Sequence, residues 1–150
     1  MDVELLKALA NAGGYASVAL AAVGSAVGTC IAGQAAIAAW KRCYVQNKPA
    51  PFLMVALAGA PLSQTIYGMI LMMLLKNGTG NGMFYMLLGI LAGFGFMASA
   101  ICQGKAAAAG CDAFGETNKG FTNYLTIAGI VETVALFVLV FGIIVINVRF

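Results

Sequence analysis

The chain has 150 residues and a formal net charge of +3; 62% of its residues are hydrophobic, 9% are charged and none is histidine. A soluble domain carries about a quarter charged residues, so this composition excludes a soluble protein and predicts an integral membrane protein surrounded by lipid. The lack of histidine excludes imidazole metal sites. The few charged residues lie at segment ends, so the charge pattern indicates no nucleic-acid partner.

Four apolar segments follow one another along the chain. About 20 apolar residues cross the hydrocarbon core of a bilayer, and backbone groups in lipid must be paired within their own segment, so each segment is predicted to be a helix. Pro61 cannot donate a backbone hydrogen bond and is predicted to kink the second helix. The predicted spans are Gly13–Trp40, Phe52–Leu75, Met83–Ala109 and Phe121–Val148.

Short connections join these segments, so neighbouring helices are predicted to be antiparallel. They are a loop from Lys41 to Pro51, a Gly/Asn turn from Lys76 to Gly82 and a polar loop from Cys111 to Gly120. More basic residues lie in or near the first and third connections (Lys41, Arg42, Lys48, Lys105, Lys119) than on the opposite side (Lys7, Lys76, Arg149). The positive-inside rule therefore predicts a multi-pass protein of the cell membrane, with both hairpin loops cytoplasmic and both termini on the outer side.

The second half of the chain repeats the first. Gly24–Ala39 aligns with Gly95–Gly110, and Gln64-Thr65 aligns with Glu132-Thr133. The repeat indicates a duplicated helical hairpin in which only the second copy has a membrane carboxylate. The predicted division is residues 1–78 for the first hairpin and residues 79–150 for the second.

The first and third segments are rich in small residues, with Gly24 and Gly28 as the clearest pair. Lipid supplies no hydrophobic drive between helices, so small residues that allow close backbone contact hold such helices together. The second and fourth segments carry bulkier side chains. Two arrangements remain open on these observations: a compact four-helix monomer, or a ring with the small-residue helices on its inner circle.

Glu132 is the only carboxylate within the four predicted spans. An ionised side chain near the middle of a bilayer costs roughly 2.5 to 3.5 kcal/mol on the milder insertion scales, so Glu132 needs partners. In one interpretation, Gln64, Gln103 and Tyr67 hydrogen-bond one another around a protonated carboxyl group. In the other, the oxygens of Glu132, Gln64, Gln103 and Ser63 bind a hard monovalent cation, and Tyr67 holds the carboxylate in place.

Three motifs and the duplicated hairpin together resemble the proteolipid subunit K of bacterial V-type ATPases, over nearly the whole chain. The motifs are Pro61-Leu-Ser-Gln-Thr-Ile-Tyr-Gly68, Cys102-Gln-Gly-Lys-Ala-Ala-Ala-Ala-Gly110 and Ile130-Val-Glu-Thr133. The resemblance implies a membrane rotor ring of identical four-helix subunits, turned by ATP hydrolysis in a separate head. It also implies a stator membrane subunit with an essential arginine, and central-stalk subunits in contact with the cytoplasmic loops.

The resemblance makes Glu132 the ion-translocating carboxylate. In sodium-pumping members, the remaining ligand positions match Ser63, Gln64, Gln103 and the backbone carbonyl of Ala60. The predicted transported ion is therefore Na⁺. The alternative is that the site transports H⁺ and binds no metal ion. Tyr67 and Thr133 are expected to stabilise the carboxylate without binding the ion themselves. The family threonine appears here as Ser63, which keeps the oxygen and loses a methyl group.

The chain has no nucleotide-binding loop. Gln103-Gly-Lys-Ala lacks the preceding glycine spacing and the Ser or Thr of a phosphate-binding loop. The prediction is a non-catalytic subunit of an ion-translocating rotary ATPase. Two other classes remain: a small four-helix antiporter of cations or drugs, and a purely structural membrane protein in which replacing Glu132 with Gln would be harmless.

Overall fold

The computed structural model describes residues 2–76 and 81–147. The described part of the chain forms five α-helices and one short 3₁₀ segment: α1 Val3–Val45, α2 Met54–Gly59, 3₁₀ Ala60–Leu62, α3 Ser63–Lys76, α4 Gly82–Thr117 and α5 Phe121–Asn147. In this part of the chain four spans are long and apolar enough to cross a membrane, and one of them runs from α2 through α3. The prediction of an all-α membrane protein with four transmembrane helices is confirmed.

Some of the sequence predictions lie outside the described residues. They are most of the Gly/Asn turn between the second and third spans, the boundary between the two hairpins at residues 78 and 79, and the basic residue Arg149. Val148, the predicted last residue of the fourth span, lies there too. The division into two hairpins therefore stays a prediction.

The prediction of a polar loop from Cys111 to Gly120 was wrong, because α4 continues to Thr117. Hydropathy indicates where lipid contact ends, whereas a helix ends at a residue whose backbone conformation is not helical. That residue is Asn118, which adopts a left-handed φ of 51° while its amide donates to the Phe114 carbonyl. Gly120 follows with a φ of 80°, and α5 begins at the next residue.

The first helix is also longer than predicted at both ends. It begins at Val3, where the Asp2 carboxylate accepts a hydrogen bond from the Glu4 amide at 3.3 Å. Such an N-terminal cap satisfies a backbone donor that the helix itself leaves unpaired. Its carboxyl end reaches Val45, where Asn47 has a left-handed φ of 53°.

The second span is interrupted at Pro61, where the sequence predicted a kink. Pro61 lies in the 3₁₀ segment that separates α2 from α3. Since proline has no amide hydrogen, the regular α-helical ladder cannot pass through it, and the backbone switches to shorter-range bonds. The amide of Ser63 accordingly donates to the Ala60 carbonyl three residues before it.

The two small-residue helices, α1 and α4, pack directly against each other although they belong to different hairpins. Glycines make this approach possible: a Cβ added to Gly24 would collide with the Met97 backbone, and one added to Gly104 would collide with the backbone of Gly28. The bulkier α5 packs on the outside of α4 and exposes large side chains such as Phe137 and Phe141. These exposed faces are suited to contact with lipid.

Two apolar clusters form the core, one towards each end of the helices. One includes Leu71, Phe96 and Leu139, and the other includes Leu57 and Phe114. The buried polar side chains of the second and third spans lie between these clusters along each helix. Gln64, Ser99 and Gln103 are buried in this middle layer, whereas Ser63, Tyr67 and Glu132 are half-buried.

Candidate ion-binding site

Glu132 lies on α5 at the centre of this polar layer, one turn from the buried residues Ala128 and Ala135. Its carboxylate accepts a hydrogen bond at each oxygen. The Tyr67 hydroxyl on α3 donates to Oε1 at 2.5 Å, and the Gln103 amide on α4 donates from Nε2 to Oε2 at 3.1 Å. Three spans therefore meet at one carboxylate, which is how a charged group is held in lipid.

Two glutamine amides connect the spans behind the carboxylate. Gln64 and Gln103 are fully buried, and Nε2 of Gln64 donates to Oε1 of Gln103 at 2.8 Å. Nε2 of Gln103 also donates to the Ala128 carbonyl at 3.1 Å. Each N–H of Gln103 thus has an acceptor, one on the carboxylate and one on the backbone of α5.

Three oxygens cluster at the break in the second span. The Ser63 hydroxyl oxygen lies 3.1 Å from the Ala60 carbonyl oxygen and 3.2 Å from Oε1 of Gln64. The Ser63 hydroxyl can donate one hydrogen to this group, whereas the carbonyl oxygen and the amide oxygen can only accept. A set of neutral, closely spaced oxygens beside a carboxylate has the ligand chemistry that hard cations prefer.

The described residues contain no group of three His, Cys, Asp or Glu side chains that could hold a metal ion. Transition metals select sites rich in imidazole or thiolate ligands. The oxygens around Glu132 instead come from amides, one hydroxyl group and one backbone carbonyl. Carboxylate and neutral oxygens are the ligands that hard cations prefer.

The structure brings most of the predicted site residues together on three spans, and Glu132, Gln64, Gln103 and Tyr67 form one connected hydrogen-bond network. The amide of Gln103 presents its nitrogen to Glu132, while its oxygen faces Gln64. As a cation ligand, Gln103 would use the second lone pair of that oxygen or turn its amide over. Its assignment as a ligand stays a prediction.

Thr133 has a different placement from the other predicted residues. Its hydroxyl donates to the Ile130 carbonyl of its own helix at 2.6 Å, and its side chain is exposed. A threonine that bonds back to its own helix satisfies its hydroxyl without a partner on another span. The predicted support of the carboxylate by Thr133 therefore rests on sequence position alone.

Ser99 on α4 is one of the few polar residues of the predicted spans, but the sequence assigned it no role in the site. Its hydroxyl donates to the Val131 carbonyl at 3.1 Å, next to Glu132, and accepts from Nε2 of Gln64 at 3.4 Å. The available signal was its spacing, because residues four apart in a helix share a face and Ser99 is four residues before Gln103.

The second half of the chain matches a known family. Residues 86–145 match the family model of the ATP synthase C subunit, and this stretch contains Gln103 and Glu132. Members of that family are membrane proteolipids that assemble into rings beside a stator, so the match supports a rotor-ring proteolipid and the predicted ring. The match covers 60 of the 150 residues and leaves out the first hairpin. None of the curated proteins compared with the chain matches it.

Proposed function

We propose that this chain is the rotor-ring proteolipid subunit of a V-type ATPase membrane sector, and that each copy transports one Na⁺ on Glu132. The observation that carries the proposal is the membrane carboxylate whose two oxygens are held by Tyr67 and Gln103. It lies within the stretch that matches the ATP synthase family model. The alternative is the same rotor transporting H⁺.

Charge neutrality is the physical basis of this transport. A carboxylate that passes lipid with its charge uncompensated is costly, whereas a carboxylate with one bound monovalent cation is neutral. Hydrogen bonds from Tyr67 and Gln103 keep the carboxylate in position without removing its charge. A single bound cation then makes the site able to rotate through the bilayer.

The choice of Na⁺ rests on the oxygen cluster of Ala60, Ser63 and Gln64. A proton needs only one oxygen of Glu132 as its acceptor. A sodium ion needs several oxygens to replace its hydration shell, and two neutral oxygens lie within 3.2 Å of the Ser63 hydroxyl oxygen in the second span. This arrangement favours a cation with several ligands.

In the proposed cycle, ATP hydrolysis in a separate head rotates a ring of identical copies past a stator subunit. The fixed arginine of the stator competes with Na⁺ for Glu132, so one ion leaves and another loads before the site returns to lipid. Moving one charge against 100 mV costs about 2.3 kcal/mol. The hairpin loops, proposed to be cytoplasmic, contact the central stalk; there Arg42 of α1 pairs with Asp112 of α4.

The proposal is tested by carbodiimide labelling of the purified protein at mildly acidic pH. Labelling of each carboxylate is measured by peptide mass spectrometry in sodium chloride and in choline chloride of equal ionic strength. Glu116 is exposed near the end of α4 and serves as the internal reference. We expect sodium to suppress labelling of Glu132 and to leave labelling of Glu116 unchanged.

Other outcomes separate the alternatives. Labelling of Glu132 that ignores sodium and falls as the pH rises would identify a proton rotor. Absence of labelling at Glu132 under all conditions would contradict an exchangeable ion site. Uptake of a cation or a cationic drug by liposomes that contain this chain alone would favour the antiporter class, because a rotor subunit needs its stator to transport ions.

A further inference from the structure

We infer that Ser99 is a positioning residue that orients the Gln64 amide so that its oxygen faces the cation ligands. Neither the sequence motifs nor the family match assigns a role to Ser99. The inference rests on the proposed function, because it concerns how the same site recognises a cation. It also makes a specific statement about which atom of Gln64 meets the ion.

A glutamine amide alone does not determine which of its ends meets a cation. The oxygen accepts hydrogen bonds, the nitrogen donates two, and the two ends have nearly the same shape. In the reversed orientation, the NH₂ group of Gln64 would point at the cluster formed by Ala60 and Ser63. Donor hydrogens there would repel a cation, so the surroundings of the nitrogen must select the orientation.

Ser99 supplies that selection because its own hydrogen is already used. The side chain is only 5% exposed, and its hydroxyl donates to the Val131 carbonyl at 3.1 Å. Its lone pairs therefore face Gln64, whose Nε2 lies 3.4 Å away. With its hydrogen committed to a backbone carbonyl, Ser99 acts as an acceptor towards this amide.

The second N–H of Gln64 is held by Oε1 of Gln103 at 2.8 Å. That oxygen is itself oriented, since Nε2 of Gln103 is bound to the Ala128 carbonyl and to Glu132. Both acceptors of Gln64 are thus anchored to the backbone of α5, Ser99 through Val131 and Gln103 through Ala128. Turning the Gln64 amide over would break both bonds at once.

Loss of the Ser99 hydroxyl removes one of the two anchors and leaves the orientation to Gln103 alone. The measured quantity is the sodium concentration that half-protects Glu132 from carbodiimide. We expect Ser99→Ala to raise this concentration about tenfold, which corresponds to about 1.4 kcal/mol. Ser99→Thr keeps the hydroxyl and is expected to stay within about threefold of the unmodified chain.

Ser17→Ala is the matched control. Ser17 is also a buried serine of a small-residue helix, and its hydroxyl donates to the carbonyls of Gly14 and Gly68 at 2.7 and 3.0 Å. Neither of these hydrogen bonds involves a residue of the site. We expect Ser17→Ala to lower the thermal stability of the protein while sodium protection of Glu132 is unchanged.

A double-mutant cycle separates positioning from general packing. If Ser99 acts through Gln64, then in a Gln64→Ala background the change Ser99→Ala has no further effect on sodium protection. Equal effects of Ser99→Ala in both backgrounds would overturn the inference, and so would unchanged protection in the single variant. These results differ from failure of the proposed function, in which labelling of the unmodified chain itself ignores sodium.

Discussion

The second and fourth spans occupy aligned places in the repeat, yet they differ in backbone and in charge. Gln64 aligns with Glu132, and with the same offset Pro61 aligns with Gly129. The second span is interrupted by a 3₁₀ segment at Pro61, whereas α5 runs without interruption past Gly129. The first hairpin thus supplies neutral oxygens from a broken helix, and the second supplies one charge from a regular helix.

The repeat predicts a duplicated hairpin, and this difference would let its two copies build one site together. A carboxylate in both spans would place two like charges in one polar layer, where each raises the cost of ionising the other. A neutral amide at Gln64 avoids that repulsion and still provides an oxygen. At the break, the Ala60 carbonyl and the Gln64 amide oxygen both lie within 3.2 Å of the Ser63 hydroxyl oxygen.

The largest expected effect comes from removing the charge. Glu132→Gln makes the two aligned positions alike, and we expect complete loss of sodium-protected labelling and of ion transport by the assembled ATPase. Circular dichroism should show the same helix content, because an amide can accept from Tyr67 as the carboxylate does. The double variant Gln64→Glu/Glu132→Gln tests whether the spans are interchangeable. Restored transport in the double variant would show that either span can supply the charge, which would refute the assignment of neutral oxygens to the second span and of the charge to the fourth.

A smaller effect is expected at Tyr67, which aligns with Ala135 and therefore exists only in the first hairpin. Tyr67→Phe removes the hydrogen bond to Oε1 of Glu132 and keeps the ring. Hydrogen bonds to charged groups contribute about 1.5–3 kcal/mol, so sodium should protect Glu132 about tenfold less effectively or worse. Sodium titration of carbodiimide labelling measures this, with Tyr85→Phe as the control for loss of a buried tyrosine hydroxyl. Equal protection in Tyr67→Phe and the unmodified chain would mean that this bond does not hold the carboxylate.

The smallest effect is expected at Thr133, whose exposed hydroxyl donates to the Ile130 carbonyl of its own helix. Thr133→Val keeps the shape and removes the hydrogen bond to the Ile130 carbonyl. Since that bond does not reach another span, we expect sodium protection of Glu132 to change less than about twofold, within the range of a surface substitution. A loss as large as that in Tyr67→Phe would restore the role in the site that the sequence predicted for Thr133.

Local chemistry was enough to predict the membrane class, the four spans, a disturbance of the helix at Pro61 and the need of Glu132 for hydrogen-bond partners. Hydropathy, a proline without an amide hydrogen and a charge in lipid can each be identified in the sequence without knowledge of neighbours in space. The helix ends were less predictable, because α4 continues beyond the apolar stretch until its backbone meets Asn118.

Which spans touch, and which way each polar group points, emerged from the packing of the helices. The pairing of α1 with α4 across the hairpins depends on glycines meeting backbone from another helix, as Gly104 meets Gly28. The orientation of the Gln64 amide depends on Ser99, which lies 35 residues further along the chain. Sequence spacing does not reveal such hydrogen-bond partners, because they meet only when the helices pack.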